Sequence, residues 1–298
     1  MMRLLCIGHC AWDAIYQVSE IPAVPTKVLA RGYVESGGGM AANASVAARR
    51  LGAEVEYWGR VGDDAVGDRI VSELAEEGIV VAAVRRIAGC KSPMTAVLVA
   101  DDGERLICGY NDPALDADAS WLPLAAVPRF DVILADVRWP QGAARVLDSA
   151  RAARVPTVLD GDIGPAETLR DLCARCDYAI FSAPGLELAS GVPHSGEGLR
   201  SMQRLAGGVV AVTLGADGLL WLEGGRERRE RAPHVAVIDT LAAGDVFHGA
   251  FALAIGEGLD MAAAARFANA AAALKCTRFG GRLGAPTRAA AQALLARP

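Results

Sequence analysis

Asp239-Thr240-Leu241-Ala242-Ala243-Gly244-Asp245-Val246-Phe247-His248-Gly249-Ala250 decides the reading of this chain. A run of small residues opens an apolar segment at helical spacing. The backbone N–H groups of Ala242, Ala243 and Gly244 would lie in a first helical turn, where they lack internal acceptors. Such a turn binds anions, and phosphate groups in particular. Asp245 is a like charge beside that site. The conflict resolves if Asp245 is a base that takes a proton from a hydroxyl while the turn holds the phosphoryl group being transferred.

Outward from this turn, short apolar runs at 4–8, 55–59, 132–135, 157–159, 179–181 and 209–213 predict strands. They alternate with amphipathic stretches at 41–51, 66–77, 143–153, 197–205, 245–257, 261–275 and 288–295 that predict helices. Uniformly apolar strands alternating with helices imply an α/β fold whose parallel sheet is covered on both faces. Further strands are expected at 219–222 and 234–237. Two segments break the rhythm, about 14–35 and 95–110. Turn signals at Pro22, Pro25 and Asp101-Asp102-Gly103 make them β-hairpin material for a small inserted lid. Pro25 restricts its strand to an edge or an irregular section. The expected organisation is one domain over 1–298 carrying these two lid segments.

Composition narrows the function. A 298-residue chain with 52% hydrophobic and 22% charged residues supports a substantial core. A net charge of −5 argues against nucleic acid as a partner. No run reaches the roughly 18 apolar residues of a membrane span; the Ala-rich stretch 261–274 is interrupted by Arg266 and Asn269. The N-terminus reads as a buried strand rather than a leader. Seven scattered cysteines fit free thiols in a reducing cytoplasm. Cys173-x-x-Cys176 lacks a second pair at finger spacing and falls in a helical pattern, so it reads as structural. His9, His194 and His234 show no metal spacing.

A second landmark is Gly37-Gly38-Gly39-Met40-Ala41-Ala42-Asn43, followed by Gly52 and by Gly59-Arg60-Val61-Gly62-Asp63-Asp64-Ala65-Val66-Gly67. The first part matches G-x-G-x-x-A formally. It lies some thirty residues after the first strand, where a dinucleotide fingerprint does not belong. Two readings remain: a tight turn, or close backbone approach to a polar ligand with Asn43 reaching it. No Walker A sequence is present, which excludes a P-loop enzyme.

Together the two landmarks resemble the signatures of the ribokinase-like (PfkB) carbohydrate kinases, and the resemblance runs from Gly8 to Gly281. It implies a mostly parallel central sheet flanked by helices, with a β-sheet lid that often makes a homodimer. It also implies ATP with Mg²⁺ as phosphoryl donor and a small sugar as acceptor. By position, Asp245 would be the base, and Ala242, Ala243 and Gly244 the anion hole. Asp13, Gly38, Gly39 and Asn43 would contact sugar hydroxyls. Thr213, Gly215 and Gly218 would flank the nucleotide, with Asn269, Gly280 and Gly281 near the adenine.

The chain departs from the pattern twice. Ala242 stands where the motif begins with glycine; an alanine keeps the N–H donor, provided its φ is negative. The family's Asn-x-x-Glu falls at Ser182-Ala183-Pro184-Gly185 without a match, although Glu187 is close. Asp160 and Asp162 are then the candidates to face a metal through water.

Within the family the chain resembles the sulfofructose kinase branch, in Ala135-Asp136-Val137-Arg138-Trp139, Leu159-Asp160-Gly161-Asp162, His248 and the stretch 273–282. Arg138 follows a strand end, and its planar fork suits a sulfonate or phosphate. Pairing with Asp136 is its alternative. Lys27 on the lid would close on the same anion or remain solvated. The branch implies an amide near Gly109; here Asn111 is the nearest. The expected acceptor is C1 of 6-deoxy-6-sulfofructose. Fructose or tagatose 6-phosphate, a neutral ketose, ribose and a nucleoside are the alternatives. A catalytically silent sugar sensor and a dinucleotide oxidoreductase are the competing classes. His248 reads as a packed core residue and Trp139 as pocket wall or core.

Overall fold

The computed structural model describes residues 2–297 except Asp116 and His194, so the reading of His194 lies outside the described residues. The chain runs β1 (Arg3–Gly8), β2 (Ala11–Gln17), β3 (Gly32–Gly38), α1 (Met40–Arg50), β4 (Glu54–Gly62), α2 (Ala65–Glu76), β5 (Val80–Ile87), β6 (Met94–Val99) and β7 (Arg105–Tyr110). It continues β8 (Val132–Asp136), α3 (Pro140–Ala153), β9 (Thr157–Gly161), α4 (Ala166–Arg175), β10 (Tyr178–Ser182), α5 (Ala183–Ser190), α6 (Ser195–Gln203) and β11 (Val209–Thr213). The last part is β12 (Leu219–Glu223), β13 (Arg226–Glu230), α7 (Ala243–Gly256), α8 (Met261–Cys276) and α9 (Arg288–Leu295).

The large sheet has the order β13-β12-β11-β10-β9-β8-β1-β4-β5. From β5 to β11 every pairing is parallel; β12 and β13 add antiparallel. Leu4, Leu5, Cys6 and Ile7 of β1 are all fully buried, and alternate residues serve different cores. Leu4 and Cys6 pack with α1, α7 and α8. Leu5 and Ile7 pack with α3, α4 and α6. The chain winds from β1 to β4 on one side and later to β8 on the other, which leaves a crevice at the carboxyl ends of β1 and β8.

The second sheet, ordered β3-β2-β6-β7, is the lid. Its two antiparallel hairpins join through the parallel β2–β6 pair. Strand β2 starts at Ala11, earlier than the sequence suggested, and Pro22 and Pro25 lie in the connection after it rather than in a strand. Ile15, Val97 and Val99 form a small core with Leu241, so the lid rests on the 239–245 turn.

Three further expectations need correction. Residues 234–237 are not a strand; the sheet edge is β13, whose sequence Arg-Glu-Arg-Arg-Glu carries no apolar signal because it is mostly exposed. Strand β5 was not expected, since its Val-Val-Ala-Ala-Val-Arg-Arg-Ile has no clean alternation. Helix α5 has Pro184 and Gly185 in its first turn, which hid it. Cys173 and Cys176 are buried free thiols at α4, and burial pushes the Cys173 thiol up to about 12, in keeping with a structural role.

Candidate active site

Asp245 lies in the first turn of α7, partly exposed at its mouth. The helix is apolar and buried from Val246 to Ile255, so its start is fixed rigidly against the sheet. It crosses α1 at Gly249, where a Cβ would run into the Ala44 carbonyl. That close approach brings Asn43 of α1 within reach, and Asn43 Nδ2 donates to Asp245 Oδ2 at 2.7 Å. Asn43 is 4% exposed, and its Oδ1 has no partner. Burial, reinforced by the charge of Asp160, raises the Asp245 carboxyl to about 7.

The turn before Asp245 departs from expectation. Ala242 has φ 62° and ψ 11°, the left-handed region, so the proviso of a negative φ is not met. Left-handed alanine costs roughly 1–2 kcal/mol. The Ala243 N–H turns back to the Thr240 carbonyl at 3.2 Å. Among the described residues no acceptor pairs with the N–H groups of Ala242, Gly244 or Asp245. The next paired N–H along the chain is that of Val246, to the Ala242 carbonyl at 3.0 Å. The three unpaired donors at this helix start are therefore those of Ala242, Gly244 and Asp245, while that of Ala243, also expected in the anion hole, is taken up by Thr240; such a set of free N–H groups is suited to an anion.

Across from it, β2, β3 and α1 bring together Asp13, Gly38, Gly39 and Asn43. Asp13 is 7% exposed, and burial lifts its carboxyl to about 6. A Cβ on Gly38 would fall on the Asp13 carboxylate. Gly39 has φ 88°, and its Cβ would lie 2.5 Å from Cys10 Cα. A Cβ on Gly37 would strike Arg282, a 2%-exposed residue whose Nη2 lies 3.0 Å from Glu73 Oε1. Glu73 in turn accepts the Gly37 N–H at 2.7 Å. These glycines are therefore filled against by protein atoms. A dinucleotide fingerprint would leave the space for a pyrophosphate, so the oxidoreductase reading fails here. Gly62 and Gly67 pack on the segment around Ser92 in the same way.

The carboxyl ends of the strands supply the acidic side. Asp136 of β8 is fully buried and accepts the N–H groups of His9 at 2.7 Å, Ala41 at 3.1 Å and Arg138 at 2.9 Å. It ties β1, α1 and β8 together, a role that no sequence signal announced. The Arg138 guanidinium does not pair with Asp136; it lies 3.7 Å from Asp162 and is 40% exposed. Asp162 also accepts Ser182 Oγ at 2.9 Å, and the same hydroxyl caps α5. Asp160 is 3% exposed and 3.4 Å from His248 Nδ1. Burial, with the neighbouring Asp162 and Asp136, pushes the Asp160 carboxyl well up, and burial pushes His248 down. His248 is packed, with its ring nitrogens on the carbonyls of Gly244 and Ile180. Trp139 is buried and stacks on Trp121.

The other candidates are more dispersed. Thr213, Gly215 and Gly218 form the β11–β12 turn, with Gly215 at φ 57° and exposed. Asn269 donates its amide to the Glu230 carbonyl at 2.8 Å. Gly280 and Gly281 donate their N–H groups to Asp239 at 2.9 and 3.0 Å, beside the lid strands. Lys27 and Asn111 are exposed in lid connections, and Gly109 faces open space. Among the described residues no group of three or more His, Cys, Asp or Glu side chains is arranged to hold a metal ion.

The sequence profile of the pfkB family carbohydrate kinases matches residues 1–288. The chain is 30% identical to the ribokinase of Bacillus subtilis, over 99% of its own length and 100% of that protein's. It is also 30% identical to an ATP-dependent ribose-1-phosphate kinase of Halopiger xanaduensis, over 99% and 98%. A crystal structure from Agrobacterium tumefaciens, provisionally assigned as a ribokinase, superposes with a TM-score of 0.94 at 38% identity, covering 100% and 99% of the two chains. Arabidopsis thaliana ribokinase, solved with ribose and ATP, shares the fold with a TM-score of 0.84 at 24% identity, over 100% and 99%. The ribokinase-like fold, the two glycine-bearing turns and the profile match agree: the chain belongs to the pfkB family of carbohydrate kinases.

Proposed function

We propose that this kinase transfers the γ-phosphoryl group of ATP to the primary hydroxyl of a small neutral sugar, with ribose as the preferred acceptor. The observation that carries the reading is the Asn43–Asp245 hydrogen bond, which joins the sugar-side turn to the phosphoryl-side turn. Asp13, Asn43 and the backbone of Gly38 and Gly39 hold the hydroxyls. Asp245 accepts the proton of the attacking hydroxyl. As the new O–P bond forms, the P–O bond to ADP breaks, and the free N–H groups of the α7 turn stabilise charge on the transferred group. The nucleotide lies along the β11–β12 turn of Thr213, Gly215 and Gly218, with α8 and Asn269 towards its base.

Mg²⁺ supplies charge neutralisation on the phosphates when bound. The residues present fit an ion held mainly through phosphate and water, since Mg²⁺ keeps several waters. Asp162, partly exposed beside Arg138, would be the carboxylate to face it, with buried Asp160 behind.

A second reading, an anionic sugar such as sulfofructose or a sugar phosphate, is favoured by Arg138, whose loose 3.7 Å pair with Asp162 leaves its fork free to turn. The relatives described above carry ribokinase and ribose-1-phosphate kinase names, not that of a sulfofructose kinase. Gly109 and exposed Lys27 add no built anion clamp. ADP release across ribose, fructose, fructose 6-phosphate and sulfofructose decides, with Arg138→Ala in parallel. Ribose preference with a small Arg138→Ala effect is expected. Strong preference for the sulfonated sugar, lost in Arg138→Ala, would reverse the order of the two readings.

The proposal extends to a homodimer through the lid. Leu106, Ile107 and Tyr110 of edge strand β7 are each 49% exposed, an apolar edge of the kind proteins cover. Seven free thiols suit a reducing cytoplasm, and among the described residues no helix is long and apolar enough to cross a membrane.

A further inference from the structure

The least expected charge in the molecule is Lys275, at the end of α8 with a side chain 0% exposed. It continues the buried stripe of Ala264, Ala268 and Ala271, positions where a lysine is costly unless paired. Its Nζ donates to the Asp239 carbonyl at 2.6 Å and lies 3.2 Å from Asp239 Oδ2. Asp239 is itself 0% exposed and is the knot of the phosphoryl-side turn. Its Oδ1 accepts the Leu241 N–H at 2.7 Å, and its Oδ2 accepts those of Gly280 and Gly281. The turn is tied back once more by the N–H groups of Ile238 and Asp239 on the Cys276 carbonyl.

Two features show that the ammonium does more than fill space. The carboxylate it faces orients Leu241, one residue before the left-handed Ala242 and two before α7 begins. A carboxylate oxygen and a backbone carbonyl converging on one point are also the donor set of a bound cation, and here a side chain of the chain itself fills that point. The other charged and titratable groups acting on it are Cys276, of its own helix, and Arg105 of the lid, whose Nη1 donates to Thr240 Oγ1 at 2.8 Å.

We propose that Lys275 is a positioning residue. Its ammonium is a built-in cation that holds Asp239, and through it the 239–245 turn, in the geometry that receives the phosphoryl group, so that no inorganic monovalent cation is needed at this point. The inference rests on the reading that this turn is where phosphoryl transfer occurs.

The test assays wild type, Lys275→Met and Lys275→Ala at constant ionic strength, exchanging tetramethylammonium for K⁺ or NH₄⁺, with melting curves to verify folding. Wild type is expected to be indifferent to the cation. Lys275→Met is expected to keep the sugar KM and lose about 10²-fold in kcat, the scale of a misplaced catalytic constellation. In Lys275→Ala a small cation should restore part of kcat saturably. A folded Lys275→Met with wild-type kcat overturns the proposal, as does a folded, inactive Lys275→Ala that no cation rescues. Should neither variant fold, severalfold activation of wild type by K⁺ overturns it and indifference supports it. Asp245→Asn run alongside separates the two readings: if that variant stays active, the site assignment has failed rather than the role of Lys275.

Discussion

The two turns that face each other across the site are built by different means. The Gly37–Gly39 turn is fixed by sterics: a Cβ at any of its three glycines would meet Arg282, Asp13 or the Cys10 backbone. The 239–245 turn is fixed by charge. A Cβ on Gly244 would meet nothing within 4 Å, and Ala242 holds a left-handed conformation that glycine would adopt more easily. What keeps that turn in place is a buried carboxylate with backbone and ammonium partners. On the proposed assignment, the sugar side has no room for an added atom, whereas the phosphoryl side has room for side chains but depends on its buried charge.

Asp245→Asn gives the largest effect and breaks the comparison at its centre. An amide cannot accept the proton, so kcat is expected to fall about 10²- to 10⁴-fold. Sugar and ATP binding, read by calorimetry, should persist. Wild-type turnover in this variant would sink the general-base assignment, and turnover absent from the wild type too would favour a silent sensor.

Paired alanine substitutions sharpen the contrast between steric and charge control. Gly39→Ala places a Cβ against Cys10 in a left-handed residue and should destabilise the fold by about 1–3 kcal/mol, with a raised sugar KM. Gly244→Ala, in open space within a helix, should melt like wild type. Equal melting temperatures for the two variants would contradict the division.

The pH profile measures both sides at once. In the proposed mechanism Asp245, raised to about 7, must be ionised to take the hydroxyl proton, and Asp13, raised to about 6, holds sugar hydroxyls best as a carboxylate. The kcat is therefore expected to fall as pH drops through about 7, and sugar affinity to fall further through about 6. The stability effect has the opposite sign. A carboxyl whose folded pKa lies above its unfolded value near 3.8 makes the fold less stable as pH rises between the two. The melting advantage of Asp245→Asn over wild type should thus grow from about pH 4 to about pH 7 and level off above. A pH-independent advantage would mean that the Asp245 carboxyl is not raised in the folded protein.

What the sequence made legible follows the same division. Fully apolar strands such as β1 and the small-residue start of α7 are local patterns, and they were readable. The charged edge strand β13 was not, because its stability comes from pairing with β12 and not from burial. Glycines could be read as tight turns, but not which atoms fill the space beside them, since Arg282 and Asp13 are distant in sequence. Lys275 could have been flagged by its place on the apolar stripe of α8, three to four residues from Ala271 and Ala268 in turn. Its partner Asp239 is 36 residues away, and no spacing rule links the two.

Ala242 is the smallest test and the most discriminating for the charge-fixed turn. Glycine there removes a left-handed Cβ, which should stabilise the fold by about 1 kcal/mol, visible as a modest rise in melting temperature. If Asp239 and Lys275 alone hold the turn, Ala242→Gly leaves kcat unchanged, because the ion pair still fixes where the N–H groups point. If the alanine Cβ, 8% exposed beside Leu241, also restrains the turn, the stabilised variant loses kcat while its sugar KM stays put. A rise in melting temperature with unchanged kcat would locate the control of this turn in the buried charge pair, and a loss of kcat would move part of it to the strained residue.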